Sequence, residues 1–153
     1  MSSQTDKDKP LLASLVNAGQ DQTAATQITD TIFMVKDISN AYLVNTADGD
    51  VLINTGFMDN AERNKALLEP IRSGPLRAII LTQGHADHFG GVPVLREDGT
   101  RVMAERRFRD TCQYFQQLMP YLGQRSRKLW ASTIKRKPVE VPRVVPDVEV
   151  DRR

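Results

Sequence analysis

Apolar residues are thinly spread up to about residue 26 and then fall into dense runs. Ile28, followed by Ile32–Val35, predicts a short strand, and Ala41–Thr46, rich in aromatic and β-branched side chains, predicts another. Asp48-Gly49 is a two-residue hairpin signal, and Val51-Leu52-Ile53 reads as the returning strand. Residues 28–55 therefore read as antiparallel strands that lead to Thr55-Gly56. The pattern then changes. Asp59 or Asn60 can cap a helix, Ala61–Leu68 are good helix formers, and Pro70, Gly74 and Pro75 end it. Leu76–Leu81 is a largely apolar run bounded by turn signals, which suits a strand buried on both faces. Strand, helix, strand in that order implies a parallel crossover.

After Leu81 the pattern predicts a loop over Thr82–Gly91, a short segment to Arg96, an Asp98-Gly99 turn and a strand over Thr100–Ala104. Phe108, Cys112, Phe115 and Met119 recur at helical spacing, so Glu105–Met119 is predicted helical, with Cys112 a core residue on its apolar face. Pro120 is expected to break that helix, and Tyr121–Trp130 to form a further helical stretch. From Pro138 the chain holds Pro142 and Pro146 among Val, Arg and Asp, which reads as an extended connector.

The organisation expected is a flexible tail over residues 1–26, an ordered region over 27–137 and the connector over 138–153. Within the tail, Leu11, Leu12, Leu15 and Val16 could form one amphipathic turn, but polar residues dominate. The 153 residues allow one domain, and a formal net charge of +2 argues against a dedicated nucleic-acid binder. No apolar run approaches the roughly 20 residues needed to span a bilayer. The start of the chain lacks the basic and apolar segments of a signal peptide, and the single Cys fits a reducing compartment. A soluble cytoplasmic protein is the expectation. Arg125, Arg127, Lys128, Lys135, Arg136 and Lys137 form a basic stretch, readable as a solvated helix face and loop or as a contact for an acidic substrate. Tyr114, Phe115, Tyr121 and Trp130 read as core or as a lid over the loop Thr82–Gly91.

Both histidines of the chain lie in Thr82-Gln83-Gly84-His85-Ala86-Asp87-His88-Phe89-Gly90-Gly91, directly after the predicted buried strand. Loops at the carboxyl ends of such strands are where open α/β sheets place ligands. His85, Asp87 and His88 offer two imidazoles and a carboxylate, which suit zinc, iron or manganese. Three donors so close in sequence imply one ion using some of them, or two ions sharing them. The bland alternative is a polar loop with solvent-facing histidines. The apolar strand before the loop and the Gly90-Gly91 pair after it, which permits close backbone approach, weigh against that alternative.

This stretch resembles the HxHxDH metal signature of the metallo-β-lactamase superfamily, with its preceding strand and Thr and its following Gly-Gly. Asn40–Val44, the Asp48-Gly49 turn and Val51–Gly56 are similar to that family's opening strands and Asp-Thr-Gly turn. The resemblance covers roughly residues 28–105. It implies an α/β fold of α+β type: the N-terminal half of an αββα sandwich, a mixed sheet with flanking helices. It also implies Zn²⁺ (or Fe or Mn), one or two ions, with metal-bound hydroxide attacking an ester, thioester, lactone or sulfate-like bond in a small molecule. Asp87 and His88 would then be ligands, Asp87 also positioning water, with His85 as a variable ligand.

Three departures matter. Gln83 stands where the family has its first His, and a neutral amide is a poor zinc ligand. Asn54 replaces the Asp of the family's turn, which with Thr82 is expected to support the ligands from behind. No His follows His88, so the later ligands must come from elsewhere. A missing C-terminal half or a second chain is the expected completion, and a half-sandwich would leave one sheet face uncovered. The competing expectation is a degenerate module that binds metal or a partner without turnover. Nucleic-acid processing is a third and weaker reading.

Overall fold

The computed structural model describes residues 19–129 and 141–151. Seven strands form one mixed sheet in sequence order: β1 (Thr26–Gln27), β2 (Ile32–Val35), β3 (Ala41–Thr46), β4 (Gly49–Ile53), β5 (Leu76–Leu81), β6 (Arg101–Glu105) and β7 (Val148–Val150). The first four are antiparallel neighbours, and β4 through β7 are parallel. The change of direction at β4 follows from the connections. Asp48 and the positive-φ Gly49 (φ 116°) turn β3 into β4, whereas β4 reaches β5 through helix α1 (Ala61–Leu68). Two single-turn helices, α2 (Ala86–Phe89) and α3 (Val92–Leu95), join β5 to β6, and the long α4 (Phe108–Leu129) follows β6.

The register lines up Leu43, Leu52, Ile79 and Val102 as a row across β3, β4, β5 and β6, and all four are buried. Val35, Leu68, Leu95, Phe89 and Phe108 close over this face, with the Phe89 and Phe108 rings packed edge to face at 5.4 Å. Alternation puts Tyr42, Ile53, Ile80 and Met103 in register on the opposite face. That face is only partly covered: Ile80 is 37% exposed. A seven-stranded mixed sheet with accompanying helices matches the α/β class with a mixed sheet expected from the sequence.

Three expectations are corrected. Pro120 does not break the helix, since α4 continues through it to Leu129. The apolar stripe of Phe108, Cys112 and Phe115 continues past the proline to Met119 and Leu122, so the helical period runs through Pro120 with one backbone bond lost. The expected connector is extended at Val141–Pro146 but ends in β7, whose β-branched Val148 and Val150 add a parallel strand to β6. The expected loop over 82–91 contains the helical turn α2. Gln22 also ties the segment before Ile28 to β2, accepting from the Lys36 N–H (2.8 Å) and donating to the Met34 carbonyl (3.2 Å). Leu11, Leu12, Leu15, Val16, Trp130, Lys135, Arg136 and Lys137 lie outside the described residues. Among the described residues no helix is long and apolar enough to cross a membrane.

Candidate metal centre

The site sits at the carboxyl end of β5. His85 caps α2, so Asp87 and His88 project from one short turn while the His88 carbonyl is clamped from the β4 side. Thr55 holds that carbonyl twice, through its N–H (2.8 Å) and its hydroxyl (3.1 Å), and the Gly91 N–H donates to the same hydroxyl (3.1 Å). A Cβ on Gly91 would come within 2.6 Å of the Thr55 carbonyl oxygen, so only glycine allows this approach. The Thr-Gly turn and the Gly-Gly pair, far apart in sequence, are thus two halves of one backbone clasp.

Behind the clasp lies a buried polar knot that sequence reasoning missed. Asp37, 2% exposed, accepts from the N–H groups of Ile38 (2.6 Å) and Phe57 (3.0 Å) and from the amides of Asn60 and Asn64 (2.7 Å each). Gly56 (φ 75°) packs against this carboxylate. The signal available was weak: a lone Asp just after an apolar strand, with three of its four donors 20 or more positions away.

His88 is oriented by a relay. Asn54 is the one non-glycine residue with positive φ among the described residues (58°), a conformation Asn tolerates better than most. Its Oδ1 accepts from the Thr82 N–H and hydroxyl (3.0 Å each), and the Thr82 oxygen lies 3.2 Å from His88 Nδ1. Since Thr82 spends its proton on Asn54, it accepts from His88 Nδ1–H. This tautomer leaves the Nε2 lone pair facing the site. Burial pushes the His88 pKa below its usual 6.5, opposed by Asp87 and reinforced by His85. Burial thus favours the neutral imidazole, the form that binds metal.

The Nε2 atom faces polar groups from three places. Asp87 Oδ2 is 3.7 Å away, Ser39 Oγ is 2.9 Å away and also bonds Asp87 Oδ2, and Gln83 Nε2 is 2.6 Å away. Ser39, on the loop between β2 and β3, was missed by sequence reasoning because nothing local marks it. His85 is drawn aside: its ring packs against Phe115 of α4 at a tilt of 47°, centroids 4.2 Å apart, and its Nδ1 lies 2.5 Å from Gln83 Oε1. The Gln83 amide thus bridges the two histidines. Among the described residues no group of three His, Cys, Asp or Glu side chains is placed to hold an ion. The expected trio divides into a close pair, Asp87 and His88, and a separate His85. Two strong donors with an oriented imidazole fit half of a zinc coordination set, which takes three or four protein ligands.

A sequence profile of the metallo-β-lactamase superfamily matches residues 34–100, the segment from β2 to the start of β6. Three solved structures show the same fold. BJP-1, a subclass B3 metallo-β-lactamase of Bradyrhizobium japonicum, is 22% identical, with 61% of this chain and 38% of that one covered and a TM-score of 0.51. A double mutant of the sec-alkylsulfatase Pisa1 from a Pseudomonas species is 21% identical, covers 74% and 20%, and has a TM-score of 0.62. A B3 metallo-β-lactamase with an active-site glutamic acid is 22% identical, covers 71% and 42%, and has a TM-score of 0.54. The chain thus spans well under half the length of each. No curated protein matches. Residues 34–100 are thus similar to the metallo-β-lactamase superfamily in sequence, and the described residues share their fold with solved structures that carry a lactamase or a sulfatase name.

Proposed function

We propose that this chain supplies half of a hydrolytic metal centre, in which Asp87 and His88 hold one zinc-class ion (iron or manganese being the alternatives). The observation that carries this reading is the His88 imidazole, with Nδ1 3.2 Å from the Thr82 oxygen and Nε2 facing the Asp87 carboxylate 3.7 Å away, in a setting whose burial favours the neutral ring. A zinc ion so held supplies Lewis acidity and lowers the pKa of water it binds. Ser39 and Gln83 contribute polar groups at the same point and are suited to orient water or substrate. The remaining ligands come from a further polypeptide segment or a second chain, whose arrival would cover the apolar sheet face around Ile80. The substrate is a small molecule with an ester, thioester, lactone or sulfate-like bond.

A second reading, a binding module without turnover, draws on the Gln83 bridge, which ties His85 and His88 to each other. One experiment separates the two. The protein is purified natively from its source cells with whatever it assembles with, loaded with zinc, iron or manganese, and assayed on all four bond classes. The hydrolase reading expects metal-dependent turnover that an Asp87→Ala variant loses. Stoichiometric metal with no turnover on any class would overturn it in favour of the binding module.

A further inference from the structure

Beside the metal loop lies a cavity of about 750 Å³, within the range of small-molecule sites. One wall is α4, which presents Cys112, Phe115, Met119 and Leu122 at intervals of three and four residues. The other wall is the extended segment Val141–Val145, and His85 and Asp87 border one side. The lining runs along α4 from Arg109 to Ser126, which at 1.5 Å per residue is roughly 25 Å. Met119 and Val145 remain exposed here, apolar groups turned to an unfilled space rather than to the core. Arg109 and Arg143 also border the cavity and make no ion pair among the described residues, while Asp87 is the one carboxylate among its described lining residues. A long apolar trough carrying two uncommitted guanidinium groups is complementary to one kind of occupant.

We propose that this cavity binds a free single-chain anionic amphiphile, a fatty acyl or long alkyl compound, with its chain along α4 and its anionic group drawn to Arg109 and Arg143. That the occupant is the substrate, its reactive bond beside Asp87, rests on the hydrolase reading. The binding itself does not. A flat polar substrate would leave the Met119 and Leu122 side unfilled, and a peptide would find few backbone partners along a lining that is mainly apolar, with Gln113, Gln116 and Ser126 as its uncharged polar side chains on α4.

Calorimetry with hexanoate, octanoate and decanoate tests it, in EDTA so that no metal takes part. Burial of each added methylene is expected to tighten binding about fourfold. Decyltrimethylammonium, with the same chain and the opposite charge, is expected to bind at least tenfold more weakly. Met119→Gln and Leu122→Gln are each expected to weaken decanoate binding about tenfold, whereas Tyr121→Gln, 72% exposed on the same helix and outside the cavity, leaves it unchanged. Affinity independent of chain length, or equal affinity for the cation, would overturn the proposal. So would loss of binding in Ile80→Gln with Met119→Gln unaffected, which would place the ligand on the open sheet face. Because metal is absent, these failures are distinct from failure of the hydrolase reading. Should decanoate bind while the Michaelis constants of alkyl esters ignore chain length in the loaded enzyme, the cavity stands and its role in substrate binding falls.

Discussion

Replacing Asp37 by Ala removes the acceptor shared by four donors. Two of them, the Phe57 N–H and the Asn60 amide, belong to half-buried residues that can recover water, as does the Ile38 N–H. The third side is different. Asn64 is fully buried, and beyond Asp37 its amide nitrogen has, among the described residues, a 3.4 Å contact to the Thr55 carbonyl. Stranding a buried donor costs about 1–3 kcal/mol, and hydrogen bonds to a charged acceptor contribute about 1.5–3 kcal/mol each before the carboxylate's own desolvation is set against them. Asp37→Ala is therefore expected to lose about 3–5 kcal/mol, a large share of the 5–15 kcal/mol typical of a domain. Urea unfolding followed by circular dichroism reads this directly. With a slope of about 2 kcal/mol per molar, the midpoint falls by about 2 M. Asn64→Ala and the double variant complete a cycle, with an expected coupling of about 1–2 kcal/mol. A midpoint shift below about 0.5 M for Asp37→Ala, or additivity in the cycle, would refute the claim that this knot fastens the Thr55-Gly56 turn.

Asn54→Ala, which must adopt a left-handed backbone without the side chain that receives Thr82, is expected to cost about 2–3 kcal/mol in the same assay, while Asn54→Asp keeps the acceptor and costs less. Gly91→Ala, with its Cβ 2.6 Å from the Thr55 oxygen, is expected to cost about 1–3 kcal/mol and to move the Thr55 and His88 amide resonances. His88, its pKa lowered first by burial, is expected to titrate below 6.5 by NMR. Its folded value lies below its unfolded one, so its contribution to stability is present above 6.5 and lost as pH falls through the folded value. Glu97, whose pKa is lowered first by its hydrogen bond to Arg72, follows the same sign: its contribution is complete above 4.5, fades below it, and is absent from Glu97→Gln.

The strands and α1 were legible because each carries its own period: alternation in β3, a turn signal at Asp48-Gly49, a continuous run in β5. Gln83, His85, Asp87 and His88 were legible as a group because they are adjacent in sequence. Their division was not. Whether His85 joins the pair depends on Phe115, thirty positions on, and on the rotamer of the Gln83 amide. Ser39 and Asp37 were illegible for a related reason: a single polar residue in a loop acquires meaning only from partners brought by the fold. Pro120 misled because its local cost is real, while the helical period of the apolar stripe continues on both sides of it. The strand β7 was hidden among prolines, and only the waiting edge of β6 makes Val148–Val150 a strand.

The chain has two histidines, which makes their ring nitrogens the sharpest probe of the central claim. Long-range ¹H–¹⁵N spectra of the untagged protein, recorded as Zn²⁺ is added, distinguish a protonated, a free and a metal-bound nitrogen. The expected result is that His88 Nδ1 stays protonated throughout while His88 Nε2 takes on the metal-bound shift, saturably, and that Asp87→Ala abolishes the change. A His88 ring that ignores zinc, or that binds it through Nδ1, would contradict the account.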